Sequence, residues 1–221
     1  MKSPTSKMLF RYWNELRGAR SAPTRLDVDP AHFIEILAET FILETGLSGA
    51  YTFRLAGTRI CEQLGFELRG LDFAELAGPT QAKVLEDDMA AISARGQCGV
   101  FEFETQAPNG QMVSFEAIVL PLVHSQGAIN RYLGAISVLD AKRPYWLGTV
   151  PLTPRALVRN DLFWPDCPPQ APAEKVEHQA PFHERRSQVR IVHHDRRHFR
   201  VFEGGRSTPM AEGCQAPSVV K

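Results

Sequence analysis

Few residues in this chain stand at spacings that do chemistry, and they gather in two places. The first is Tyr51–Gly70, YTFRLAGTRICEQLGFELRG, which brings Arg54, Arg59 and Glu62 close together. Two guanidiniums can hold a carboxylate or phosphate through paired hydrogen bonds. The plainer role is to pair with an acidic neighbour such as Glu62. The second place is a short repeat in which a double Arg is followed by alternating apolar and Arg positions. Its copies are residues 185–192, RRSQVRIV, and 196–202, RRHFRVF. Six arginines against Glu184 and Asp195 make residues 183–200 locally +4. Catalytic signatures are absent: there is no G-x-S-x-G, no H-E-x-x-H and no phosphate-binding glycine loop with Lys. Glu102 and Glu104 stand two apart on a strand-like run and read as its solvated face, not as an acid–base pair. No enzyme is expected.

Composition sets the frame for these residues. A chain of 221 residues, 43% hydrophobic and 23% charged, suits one domain with appendages. Lys+Arg and Asp+Glu both number 25, so the whole molecule advertises neither a nucleic-acid nor an anionic-membrane partner. The apolar cluster Met8-Leu9-Phe10 is broken at once by Arg11, so no secretory signal is read. No window approaches the ~18 apolar residues of a membrane span. Cys61, Cys98, Cys167 and Cys214 form no C-x-x-C pair and read as reduced thiols of a cytoplasmic protein, without structural zinc.

The elements that must position the first cluster follow from periodicity. Residues 5–17 read as an amphipathic helix with Leu9, Trp13 and Leu16 on one stripe and Gly18 as its stop. That stripe must cover either the back of the following sheet or the same helix of a second copy. Asp29-Pro30 starts a helix whose inner face is Phe33, Ile36 and Leu37. Strand-like runs Thr40–Glu44 and Tyr51–Leu55 form a hairpin. A helix opens at Thr58 as cap and ends at Gly65, and a turn closes at Gly70. A short segment over 71–77 precedes a long helix over Thr80–Arg95, with Leu85, Met89 and Ile92 inward. Three strands complete the order: Gly99–Gln106, Met112–Val123 and Arg131–Leu139. The last is apolar on both faces and belongs mid-sheet.

This order of two strands, short helices and three meandering strands is that of the PAS fold. The wording R-Y-W-N-E-L-R-G, R-L-D-V-D-P, F-R-L-A-G-T-R-I-C-E-Q-L-G-F-E-L-R-G and D-F-A-E-L, over residues 8–145, resembles a PAS-related family of short, mostly uncharacterised alphaproteobacterial proteins. The resemblance implies an α+β domain, a five-stranded antiparallel sheet with helices on one face. It also implies a regulatory role in signal transduction, with relatives in motility or cell-cycle signalling. It carries no ligand. The expected organisation is an N-terminal helix and link over 1–28, the PAS-like domain over 29–143 and a packed extension over 144–164. A Pro-rich linker over 165–184 and an extended Arg/His-rich tail over 185–221 complete it.

PAS pockets that bind flavin or haem need particular residues. Cys61 lies in the region of a flavin-reactive cysteine, but T-R-I-C-E-Q-L lacks the accompanying amides, and such a Cys reads as a small core residue. His32 and His124, the histidines outside the tail, stand where neither offers an axial haem ligand. No cofactor is therefore assigned. A small ligand would be lined by Phe53, Arg54, Arg59, Ile60, Leu64, Phe73, Phe101 and Phe115, although the apolar members equally suit a solid core. The expected function is a cytoplasmic sensory or regulatory module working through protein contacts, with a small ligand as a gate. The alternative is a ligand-free adaptor acting through its tail. Contact residues on these readings are Leu9, Trp13 and Leu16, with homodimerisation through the helix or sheet face as one outcome, and Arg190, Phe199 and Arg200 in the tail. Nucleic-acid binding through the arginine repeat ranks last, because one short patch is a thin electrostatic footprint.

Overall fold

Six strands build the protein: β1 Thr40–Thr45, β2 Tyr51–Ala56, β3 Cys98–Gln106, β4 Met112–Val123, β5 Ile129–Val138 and β6 Arg155–Phe163. A computed structural model describes residues 1–46, 49–106, 110–124, 127–139 and 155–169. The strands form one antiparallel sheet in the order β2-β1-β5-β4-β3-β6. β4 and β5 are buried along most of their length, on alternate residues that face opposite sides. Strands of that kind need apolar cover on both faces.

Cover on the inner face comes from α2 (Thr58–Leu64), a 3-10 turn over Phe73–Leu76 and α3 (Ala82–Arg95). α2 and α3 both end on a left-handed glycine, Gly65 at φ 80° and Gly96 at φ 70°. Asp72 caps the Phe73–Leu76 turn, and Glu75 closes a capping box back onto it. The outer face is covered by α1 (Pro4–Arg17) and a 3-10 segment over Pro30–Glu39. Ser3 caps α1, its Oγ accepting from the Thr5 and Ser6 amides, and Pro4 takes the first helical position.

Of the two destinations open to the α1 stripe, the structure shows the back of its own sheet. Leu9 and Trp13 are wholly buried there and Leu16 is half-buried. The Trp13 indole donates to the Pro121 carbonyl on β4 at 2.8 Å. The β3–β4 ladder ends at Val119, so Pro121 lies just past it.

Four local expectations change. The sheet has a sixth strand: β6 arises inside the stretch read as a packed extension and pairs with β3 from Cys98 to Thr105, with a bulge between Glu102 and Phe103. The Pro30–Glu39 segment is a kinked pair of 3-10 turns, because Phe33 (φ −135°, ψ 33°) breaks the helical phase. Phe33 and Ile36 stay inward while Leu37 turns outward to 40% exposure. The α2 cap is Gly57, not Thr58. A Cβ on Gly57 would come within 2.2 Å of the Ala38 carbonyl oxygen, so the close crossing of these two backbones requires glycine. Finally, Glu102 is buried, not solvated.

If α1 is the sheet's outer cover, truncating its largest side chain must be costly. Trp13→Ala is expected to lose about 3–5 kcal/mol of unfolding free energy. Leu26→Ala, at a 93% exposed side chain, should stay within roughly 0.5 kcal/mol of the parent. Urea denaturation of both variants measures the difference.

Candidate functional site

The space between the inner face and its helices is where the apolar candidates converge. Phe53, Ile60, Leu64, Phe73, Phe101 and Phe115 are all buried in one cluster. Phe73 is its hub, with ring centroids 5.9 Å from Phe53, 5.7 Å from Phe101 and 6.0 Å from Phe41. Edge-on and tilted ring pairs of this kind fill volume closely. A cavity of about 10 Å³ remains between Leu64, Leu76, Phe103, Phe115 and Ile136. That is about the space of one water. At the far end of the layer, hydroxyls join α3 to the sheet. Tyr132 meets Thr45 at 3.2 Å and also Ser93, which in turn lies 3.3 Å from Tyr51. Burial pushes the Tyr132 phenol above its ordinary pKa, although hydrogen bonds from Ser93 and Thr45 oppose the shift.

The two arginines are not gathered at an entrance to this layer. Arg54, on β2, is exposed and pairs with Glu44 at 3.0 Å, and Glu44 also holds Arg131 at 2.7 Å. Arg54 borders a hollow of about 280 Å³ along the β2 edge with Arg69 and Gly70. Arg59, on α2, reaches Glu39 at 3.0 Å. The expected partner Glu62 is exposed and takes part in neither pair.

Glu39 was not singled out in the sequence, yet it joins four elements. One carboxylate oxygen accepts from Arg59 of α2, and the other from Thr5 of α1 at 2.6 Å and Ser137 of β5 at 3.2 Å. Glu39 itself ends the Pro30–Glu39 segment. Burial alone would raise its carboxyl, but the bonds from Thr5, Arg59 and Ser137 outweigh that and hold it below the usual carboxylate range. Two further acids lie beneath the chain's first residues. Glu116 is completely buried and accepts from the Lys2 and Ser3 amides at 2.6 and 3.0 Å. Glu102 lies between Lys2 at 2.7 Å and Arg159 of β6 at 3.0 Å.

The remaining candidates have ordinary surroundings. Cys61 is half-buried on α2, and burial raises its thiol pKa, which works against thiolate chemistry. His32 is a surface residue beside Asp29 and Tyr12, and His124 is exposed at the end of β4. Among the described residues, no group of three or more His, Cys, Asp and Glu stands close enough to hold a metal ion. No helix there is long and apolar enough to cross a membrane. Arg190, Phe199 and Arg200 lie outside the described residues, as does the arginine repeat.

A second concavity lies on the outer side, where the Pro30–Glu39 segment passes over β1 and β2. It holds about 230 Å³, and its walls are Val28, Phe33, Leu37, Ile42, Leu55 and Leu133, with Arg25 alongside. No reading of the sequence located it. Its only signal was Leu37, an apolar residue that a regular helix would place inward and that the kinked 3-10 segment turns outward.

The Glu39 junction sets an acid limit on stability. With its folded pKa below the unfolded one, the carboxylate's contribution is complete above the unfolded pKa and is lost as pH falls through the folded value. Between about pH 6 and about pH 3 the urea midpoint should fall, and Glu39→Gln should flatten that part of the profile.

Comparison with known proteins adds the family. Residues 1–137 match the PAS domain family. A search of curated proteins found no match. Among solved structures, the chain is similar to the PAS domain of a protein from Colwellia psychrerythraea at 12% identity and TM-score 0.38, spanning 51% of this chain and 98% of that one. It is similar to the LOV protein of Rhodobacter sphaeroides at 17% identity and TM-score 0.37, spanning 52% and 70%. The PAS domain of an HTR-like protein from Haloarcula marismortui matches at 20% identity and TM-score 0.35, spanning 49% and 90%. With α1, both helical layers and the first five strands inside a match of more than half its length, this chain belongs to the PAS domain family.

Proposed function

We propose that this PAS domain, a sensory and signalling module, works through protein contact and not by enclosing a ligand between its helices and sheet. One observation carries the reading. Phe53, Phe73, Phe101 and Phe115 pack together in the inner layer, and the cavity described there holds about 10 Å³, against the several hundred Å³ of a typical small-molecule pocket. Contact surface is present elsewhere. Leu26, Ile34 and Leu55 are exposed by 93%, 69% and 53%, and with Leu37 they sit on the segments that frame the outer concavity. Grouped exposed apolar side chains of this size mark interaction surfaces in folded proteins. The free thiols Cys61, Cys98 and Cys167 fit a reducing, cytoplasmic setting. The partner is a second copy of the chain or another protein, and no catalytic step is assigned.

The test compares the intact chain with an Ile34→Asp/Leu55→Asp variant and with a chain lacking residues 170–221. The deletion spares Asp166, which pairs with Arg17 at 2.6 Å. Quantitative mass spectrometry of co-purifying proteins, with native mass for self-association, should show a partner reduced roughly tenfold or more by the double variant at unchanged thermal melting. Equal capture by both chains overturns the surface. Loss only on deletion moves the function to the tail. A small molecule retained by the purified protein and contacting Phe73 overturns the filled-core reading.

A further inference from the structure

The outer concavity has the make-up of a binding site, and its chemistry is specific enough to name a ligand class. It is held open by construction. At one end of its roof, the Asp29 amide donates to the Tyr12 hydroxyl of α1 at 2.8 Å. At the other end, the Gly57 amide donates to the Thr40 carbonyl at 2.8 Å, where the two backbones cross too closely for any Cβ. A roof fixed at both ends cannot settle onto the sheet, so Leu37 and Leu55 keep apolar surface without a neighbour. Covering such surface is worth about 25 cal/mol per Å².

The polar side of the site is a single charge. Arg25 is the only charged residue among those that line it, and no ion pair or hydrogen bond engages its guanidinium among the described residues. The neighbouring acids are already occupied. Asp27 holds Arg20 at 2.8 Å and the Thr24 amide, Asp29 caps the Ala31 amide beside His32, and Glu39 holds Arg59, Thr5 and Ser137. A guanidinium left without a counter-ion beside an apolar hollow is matched by an anion carrying a hydrocarbon body. The size follows from volume: a cavity of about 150 Å³ holds benzene, so 230 Å³ takes roughly nine or ten non-hydrogen atoms.

We infer that the concavity between the Pro30–Glu39 segment and strands β1 and β2 binds a small amphipathic carboxylate, its hydrocarbon body against Leu37, Leu55 and Leu133 and its carboxylate on Arg25. This site lies on the opposite side of the sheet from the filled inner layer. It stands whether or not the surrounding surface docks a protein.

Octanoate is the probe, with octylammonium as a control of the same length and opposite charge. Both are titrated into the full-length protein while amide resonances of Leu37, Leu55 and Gly57 are followed by NMR. Octanoate should give saturable shifts centred on these residues. Octylammonium should bind at least tenfold more weakly, Arg25→Gln should weaken octanoate by a similar factor, and Arg25→Lys should recover part of it. Leu37→Asp, which puts a carboxylate on the apolar wall, should abolish the shifts. Equal binding of the two probes overturns the role of Arg25, and with it the proposal. So do shifts that never saturate or that centre elsewhere. Amide changes that depend on protein concentration and not on octanoate would mean that a second copy covers this face, and would also overturn it. Failure of the partner-capture experiment leaves this titration unaffected.

Discussion

Everything in this fold follows from a sheet whose middle strands have no polar face. β4 and β5 carry apolar residues on both sides for most of their length, so a single helical layer cannot satisfy them. The helices between β2 and β3 cover one side. The other side is closed by a helix from before the first strand, and Trp13 marks how completely: it is wholly buried and its one polar atom is bonded to Pro121. Complete burial of a large apolar side chain is worth about 1.5–3 kcal/mol. α1 is therefore part of the domain's core, and its stripe is not free for a second copy while it stays docked.

The same closure explains why acids sit where apolar residues would be simpler. Glu116 interrupts an otherwise apolar stretch of β4 and is completely buried, a position that is costly unless every oxygen is bonded. The Lys2 and Ser3 amides supply those bonds, so the acid fixes where the segment before α1 must lie. Glu102 repeats the device one strand away, tying Lys2 and β6 together through Arg159. Glu39 does so through Thr5, at the same end of α1, with bonds from both faces of the sheet. Removing one partner of such an arrangement costs more than the arrangement gains over an apolar one. The acids thus select one docking geometry for α1 more than they add stability.

How far this was legible depends on whether a residue's neighbours lie close in sequence. The stops at Gly18, Gly65 and Gly96, the Asp29-Pro30 start and the alternation of Phe101 and Phe103 are local signals, and each element they mark is present. β6 was missed because R-A-L-V-R-N-D-L-F has no clean period and becomes a strand by pairing with β3. Glu102 looked solvated because a strand of alternating Phe and Glu normally has a wet face. Lys2, a hundred positions away, shows that the face is closed, bonding both Glu102 and its cross-strand neighbour Glu116. Leu37 was placed inward by helical phase, and the break at Phe33 removed that phase. The lone Glu116 in an apolar run was the one long-range signal visible in the sequence itself.

The two faces end with opposite characters, and that bears on how a signal can cross the domain. On the inner side, the cavity between Leu64, Leu76, Phe103, Phe115 and Ile136 is about the space of one water. The outer side keeps a hollow, exposed leucines and the Arg25 guanidinium, which has no counter-ion among the described residues. Between them stands Phe41, which belongs to the inner aromatic cluster and also borders the outer concavity. Its ring lies over Gly134, where a Cβ would come within 2.1 Å of it. A closely packed aromatic ring transmits displacement more than it absorbs it. Glu39 offers a second rigid route, since its oxygens join α2 on one face to α1 on the other. The outer surface and the inner helices are thus joined through a single aromatic ring and a single carboxylate.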